Sequence, residues 1–180
     1  MKIRIANLED AQGILNIYAP YILDTAVSFE TSVPTISVFK NRIKEGLITY
    51  PWVVAEVDQK IVGYAYASAH RSRCAYSWSA DSSAYISPSF HGKGIAHKLY
   101  EYIFSILEKQ YVVNVFAGIT LPNEKSVGFH EALGFVKIGH YKKVGYKLDC
   151  WHDVGWWQKE LISVDKPREI IPFEKVQYEI

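Results

Sequence analysis

The stretch Ser87-Pro-Ser-Phe-His-Gly-Lys-Gly-Ile-Ala-His-Lys-Leu99 stands between a strand-like segment and a helix-like one. Two glycines flank a lysine at the junction. The spacing is not that of a G-x-x-x-x-G-K-[ST] loop, and His97 occupies the third glycine of G-x-G-x-x-G. The first turn of a helix nevertheless leaves backbone N–H groups unpaired at the positive end of its dipole, which favours an anion there. Gly92 and Gly94 would admit a bulky pyrophosphate with no Cβ in the way, and Ala96 keeps the first turn slim. Lys93, His97 and Lys98 add local charge. The same glycines would also serve a plain strand-to-helix turn, so the surroundings decide between the two.

Outward from Gly94, the apolar positions Ile95, Leu99, Tyr102, Ile103, Ile106 and Leu107 predict an amphipathic helix to Lys109. Beyond it, 111–119 reads as a strand and "LPNEKSVGFHEALGF" as a turn and short helix ending at Gly134. The segment after that predicts two strands around a loop near 145–151. Upstream, 75–86 reads as a strand broken near Ser82-Ser83, and 52–69 as a hairpin joined at Asp58-Gln59. Pro34-Thr35 opens a helix carrying Ile36, Phe39, Ile43 and Leu47 on one face. Asn7 caps an earlier helix, which Pro20 is expected to divide from a short piece ending near Asp24. Residues 2–5 alternate as a strand. Hairpins imply antiparallel pairing, and the strand–helix–strand unit at 76–119 implies one parallel crossover. The expected architecture is α/β: a mixed, mostly antiparallel central sheet flanked by helices. Residues 1–162 read as a single domain, followed by a tail at 163–180 that Pro167 and Pro172 leave only partly ordered.

Composition narrows the class of partner. Of 180 residues, 49% are apolar and 14% aromatic, which suits a packed core and not disorder. Twenty Lys and Arg against 19 Asp and Glu leave no overall field for nucleic acid or an anionic membrane, so an anionic ligand needs a local device. Cys74 and Cys150 are too few for a disulfide framework, and no metal-type spacing is present. With no signal-peptide core and no apolar run of membrane-spanning length, a cytoplasmic protein is expected.

The pattern "YISPSFHGKGIAHKLYEYIFSIL" resembles the acetyl-CoA motif of the GNAT superfamily of N-acetyltransferases, in which a strand leads into [QR]-x-x-G-x-[GA] and a long helix. The slots fall on His91, Gly94 and Ala96, with His91 departing from the usual Gln or Arg. The resemblance implies that acetyl-CoA is the acetyl donor and that no metal takes part. It places Tyr85, Ile86 and Ser87 along the thioester and pantetheine arm, and Gly92, Lys93, Gly94, Ile95, Ala96 and His97 around the pyrophosphate. "PNEKSVGFHEALGF" resembles the helix that follows the next strand in that superfamily. It would direct Asn123 and Ser126 to the pantetheine amide and set His130 where many relatives carry a Tyr that protonates the leaving thiolate. Taken alone, His130 also fits an ordinary amphipathic helix.

The outer segments, above all "WHDVGWWQKEL", are similar to the phosphinothricin acetyltransferase branch over about residues 2–162. That branch acetylates the free α-amino group of phosphinothricin, methionine sulfone or methionine sulfoximine, and its members are commonly homodimers. The resemblance implies Asp81 as the base, one methylene shorter than the family Glu and therefore suited to a water relay. Glu30 is a second candidate for base or ammonium anchor. Arg71 and Arg73 match basic positions that could pair with a substrate carboxylate or phosphinate, though a solvated loop pair is the alternative. Phe29, Tyr76, Trp78 and Tyr85 are candidate pocket walls. The implied chemistry is direct attack of a neutral amine on the thioester in a ternary complex. Other acceptors (a polyamine, an aminoglycoside, a protein N-terminus) and a non-catalytic acyl-CoA-binding protein are the competing readings. Trp151, Trp156 and Trp157 are candidates for a dimer interface or for core.

Overall fold

Alternating and helical segments fold much as their apolar spacing dictates in the computed structural model, which describes residues 1–177; the last three residues of the expected tail lie outside it. The strands are β1 (Lys2–Ile5), β2 (Trp52–Val57), β3 (Lys60–Ala69), β4 (Ser79–Ile86), β5 (Asn114–Leu121), β6 (Val136–Lys147) and β7 (Cys150–Glu160). The helices are α1 (Ala11–Leu23), α2 (Ile36–Thr49), α3 (Ile95–Lys109) and α4 (Glu124–Ala132). The strands form one sheet in the order β1-β2-β3-β4-β5-β7-β6, antiparallel at every pair except β4–β5. α1 and α2 cover one face through Ile14, Tyr18, Ile22 and Phe39. α3 covers the other through Leu99, Tyr100, Ile103 and Leu107, and Val127 and Phe129 of α4 pack beside it. Among the described residues no helix is long and apolar enough to cross a membrane.

Four local expectations change. Pro20 does not divide the first helix. Its missing N–H deprives only the Asn16 carbonyl, both residues are exposed, and the helix runs on to Leu23. The strand expected at 75–86 begins at Ser79, after a 3₁₀ turn at Cys74–Tyr76, and continues unbroken through Ser82-Ser83. β5 begins at Asn114 rather than 111, because Tyr111 takes a φ of 65° in the turn that ends α3. The loop expected near 145–151 tightens to Leu148-Asp149, both at positive φ, as Asp58-Gln59 also are.

The described part of the tail is tied to the body. Buried Gln110 donates to the carbonyls of Thr49 and Ile171, and Phe173 is buried. Trp78 Nε1 donates to the Arg168 carbonyl at 2.6 Å, which directs this ring to the tail and away from the expected pocket.

The start of the chain is fixed by a charge pair. Asn7 forms a capping box with Asp10, and the Arg4 guanidinium donates to Asp10 at 2.6 and 2.8 Å and to Glu56 at 2.9 Å. Burial pushes the Asp10 carboxyl up, but the Arg4 and Asn7 bonds outweigh it and hold it below the usual range. A carboxyl depressed in the folded state contributes stability above its unfolded pKa, and that contribution is lost as pH falls below about 4. Asp10→Asn is expected to cost about 2–4 kcal/mol at pH 7 and to flatten the acid loss of stability. Urea unfolding at pH 7 and below about pH 4 checks this, and an unchanged midpoint at pH 7 would refute it.

Candidate active site

β4 and β5 pair only at Ser79↔Asn114, Ala80↔Val115 and Asp81↔Phe116, and then part. From Ser82 and Ala117 onward the two parallel strands diverge, leaving backbone groups on their facing edges without a ladder partner. Ser87 N–H donates to Val62 O, so the pleat turns the N–H and C=O of Ile86 toward the gap. The Ile86 carbonyl accepts from Tyr21 OH at 2.6 Å and from His91 Nε2 at 2.9 Å. His91 thus acts as a strut between the turn and the end of β4.

At the open end of the gap, Gly92 and Gly94 both take left-handed φ values of 72° and 73°. Gly94 is the N-cap of α3 and no side chain caps that helix, so the N–H groups of Ile95, Ala96 and His97 face outward. A Cβ on either glycine would meet nothing within 4 Å, so their freedom serves the backbone angle and the open space, not internal packing. Lys93 lies over the Phe90 ring at 4.5 Å, and His97 contacts Glu101 at 3.2 Å. The arrangement is a cradle for a bulky anion with an unpaired strand edge leading away from it.

At the closed end stands Asp81. Its Oδ1 accepts from His70 Nδ1 at 2.6 Å, and burial pushes its carboxyl up against the opposing effect of His70. His70 lies flat on Phe116 with ring centroids 4.2 Å apart, and the edges of Trp156 and Tyr76 face it at 5.8 and 6.4 Å. His70 is absent from the sequence-derived candidates, because the partnership is made across two strands. The available signal was its place one residue past β3, whose Ala69 pairs with Ala80 beside Asp81.

On the same face of the sheet a cleft of about 630 Å³ is walled by Phe29, Arg71, Tyr85, Thr120, Tyr141 and Trp156, among others. Tyr85 is buried, stacks on Tyr64 and meets Tyr18 and Tyr21 edge-on, so it serves core and cleft together. Phe29 covers Gly145, where a Cβ would strike its ring. Arg71 is exposed at the cleft, with Nη1 donating to the His70 carbonyl. Arg73 and Tyr76 are exposed beyond it on the 3₁₀ turn and are not among the cleft walls.

Two expected roles are corrected, and a third is narrowed. Glu30 lies at the cleft, but Arg42 grips it at 2.6 and 3.1 Å and Tyr18 OH donates to it. Burial pushes its carboxyl up, yet these partners hold it below the usual range, so it is neither a base nor a free ammonium anchor. His130 is buried: Nδ1–H donates to Ser126 O at 2.7 Å and Nε2 accepts from Tyr100 OH at 3.0 Å. Burial lowers its pKa, and both nitrogens have partners within the fold, which counts against the acid role expected of it. Asn123 is the N-cap of α4, its Oδ1 accepting from Ser126 N–H at 3.1 Å, so only its amide NH₂ remains for a ligand.

Comparison with known proteins follows these lines. The acetyltransferase (GNAT) domain family matches residues 3–156. A phosphinothricin N-acetyltransferase of Streptomyces viridochromogenes is 35% identical over 98% of this chain and 96% of its own length. An L-methionine sulfoximine/L-methionine sulfone acetyltransferase of Salmonella typhimurium is 29% identical over 89% of this chain and 95% of its own. The crystal structure of a GNAT superfamily phosphinothricin acetyltransferase from Sinorhizobium meliloti, in complex with AcCoA, superposes with a TM-score of 0.90 at 30% identity over 97% of each chain.

Proposed function

The chain belongs to the GNAT acetyltransferase family, and on that premise we propose that it moves the acetyl group of acetyl-CoA directly to the free α-amino group of a small amino-acid-like substrate. Phosphinothricin and methionine sulfoximine or sulfone are the model acceptors. The carrying observation is the parting of β4 from β5 just beyond Asp81, with an uncapped helix N-terminus at one end of the gap and the Arg71-walled cleft on the face that bears Asp81.

The residues present fit acetyl-CoA. The outward N–H groups of α3 and the left-handed Gly92 and Gly94 would hold the pyrophosphate, and the Asn123 NH₂, left free by the cap, would serve the pantetheine arm. The Ile86 N–H, turned into the gap, would polarise the thioester carbonyl as charge develops on its oxygen. The acceptor amine arrives largely as ammonium, since even α-amino groups of peptides have a pKa of about 7.7–8.0. A base on the Asp81 side must therefore take a proton before the nitrogen attacks. Cys74 and Cys150 are exposed and are not among the cleft walls, which favours direct transfer over an acyl-enzyme. Parallel double-reciprocal lines in two-substrate kinetics would overturn this order of events.

The acceptor class follows from charge. A polyamine or aminoglycoside needs uncompensated carboxylates, whereas Glu30 is matched by Arg42 and Arg71 stands at the cleft. Arg71 instead offers a fork to a carboxylate or phosphinate. With acetyl-CoA in excess, phosphinothricin and methionine sulfoximine are expected to be acetylated at least tenfold faster than spermidine, kanamycin or an alanyl peptide. Turnover of spermidine alone would reverse the assignment, and acetyl-CoA binding with no turnover of any amine would point to a binding protein. We also propose a homodimer formed through the exposed apolar side chains Val136, Ile138, Tyr146, Leu148 and Trp151 of the β6–β7 hairpin.

A further inference from the structure

The short reach of Asp81 has a structural answer. We propose that His70 is the residue that takes the proton from the acceptor ammonium, with Asp81 as its positioning partner. The inference rests on the acetyltransferase reading above and names the base of that same site.

The imidazole has its two nitrogens in different surroundings. Nδ1–H is committed to Asp81 at 2.6 Å, which sets the tautomer and leaves Nε2 as the basic nitrogen. Nε2 makes no hydrogen bond among the described residues. The ring is largely buried, at 14% exposure, and is held flat against Phe116 with Trp156 across its edge, so its orientation is fixed by packing. It borders a cavity of about 150 Å³ that shares Arg71, Tyr141 and Trp156 with the larger cleft. A substrate anion on Arg71 would bring an α-ammonium group into this neighbourhood. The other groups near the ring are few. Asp81 faces it from β4, Tyr76 from the 3₁₀ turn and Tyr141 from β6; Arg71 follows it in the chain, and Phe116 and Trp156 carry no charge.

The step balances as follows. Nε2 removes one proton from the ammonium, and the imidazolium formed stays paired with the Asp81 carboxylate. The amine lone pair then forms the C–N bond and the C–S bond breaks, giving the amide and coenzyme A thiolate. The second N–H proton ends on sulfur, and His70 returns its proton to solvent. A base placed this way is worth about 10²–10⁴-fold.

His70→Asn tests the idea while keeping an N–H near the place of Nδ1, so that Asp81 remains partnered. We expect kcat to fall at least 100-fold on the best acceptor of the panel, with the acetyl-CoA Kd within twofold of wild type and an unchanged circular dichroism spectrum. The acid limb of the kcat/KM profile should disappear. Added imidazole should restore activity to His70→Ala, a response that a merely structural histidine would not give. Adding Asp81→Asn to His70→Asn should cost less than Asp81→Asn costs alone, because the two act as one unit. If His70→Asn keeps kcat within threefold while Asp81→Asn loses it, the carboxylate acts without the imidazole and the proposal is overturned. If the wild-type protein acetylates no amine of the panel, the acetyltransferase reading and this inference fall together.

Discussion

Replacing Gly94 with valine is expected to raise the Kd for acetyl-CoA about 30- to 100-fold while lowering the melting temperature by only a few degrees. Gly94 holds a φ of 73° as the N-cap of α3, and an L residue in that region costs about 1–2 kcal/mol, more when β-branched. A Cβ there meets no atom of the protein within 4 Å, so the fold has no clash to relieve. The strain is relieved by rotating the turn toward negative φ, which swings the N–H groups of Ile95 and Ala96 away from the anion. The branched side chain then stands in the space that the pyrophosphate needs. With tenfold in affinity for each 1.4 kcal/mol, the two effects reach the stated range. A graded series makes the cause visible. Asn tolerates the left-handed region best, so Gly94→Asn should be mildest, Gly94→Ala intermediate and Gly94→Val most severe. Titration calorimetry with acetyl-CoA measures this order, and equal affinities across the three would show that the backbone angle does not matter.

That turn was legible in the sequence because everything it needs is local. A glycine pair, a strand before it and a 3.6-residue apolar period after it are neighbours in the chain, and α3 runs close to its expected span. The hairpin at Asp58-Gln59 was legible for the same reason. What escaped is what depends on distant chain segments. The gap between β4 and β5 is a missing pairing, and no sequence pattern encodes an absence. His70 and Asp81 meet because β3 and β4 pair in one register, and on its own "AHRSR" reads as a polar loop. The family resemblance gives His130 a chemical role, yet Tyr100 on another helix and the Ser126 carbonyl claim both its nitrogens. Glu30 looked like a free acid because Arg42, twelve residues on, belongs to a different element. In each case a partner across the fold decided the chemistry.

The closing tryptophans carry the same lesson into a measurable difference. "CWHDVGWW" alternates in β7, so Trp157 and Trp151 face the same side of the pleat in principle, yet one is 1% exposed and the other 57%. Trp157 lies over the α3 layer, its Nε1 donates to Glu131 Oε1 at 3.1 Å, and Gly155 leaves room for its ring, where a Cβ would come within 2.4 Å. Trp151 extends past that layer to the hairpin end and meets Tyr146 edge-on, at 5.3 Å. Trp157→Ala is therefore expected to destabilise the fold by about 3–5 kcal/mol through lost burial and the cavity left behind. For a chain of this length that lowers the melting temperature by roughly 6–20 °C, at 2–4 °C per kcal/mol. Trp151→Ala should leave the unfolding free energy of the single chain within about 0.5 kcal/mol, since more than half of the ring is exposed. If the β6–β7 surface joins two copies, the same change should weaken the dimer, which light scattering across a dilution series will register as a fall in mass. A dimer unaffected by Trp151→Ala would place the contact elsewhere, and a Trp157→Ala protein as stable as the wild type would remove Trp157 from the core. The two substitutions thus separate what holds one copy together from what holds two.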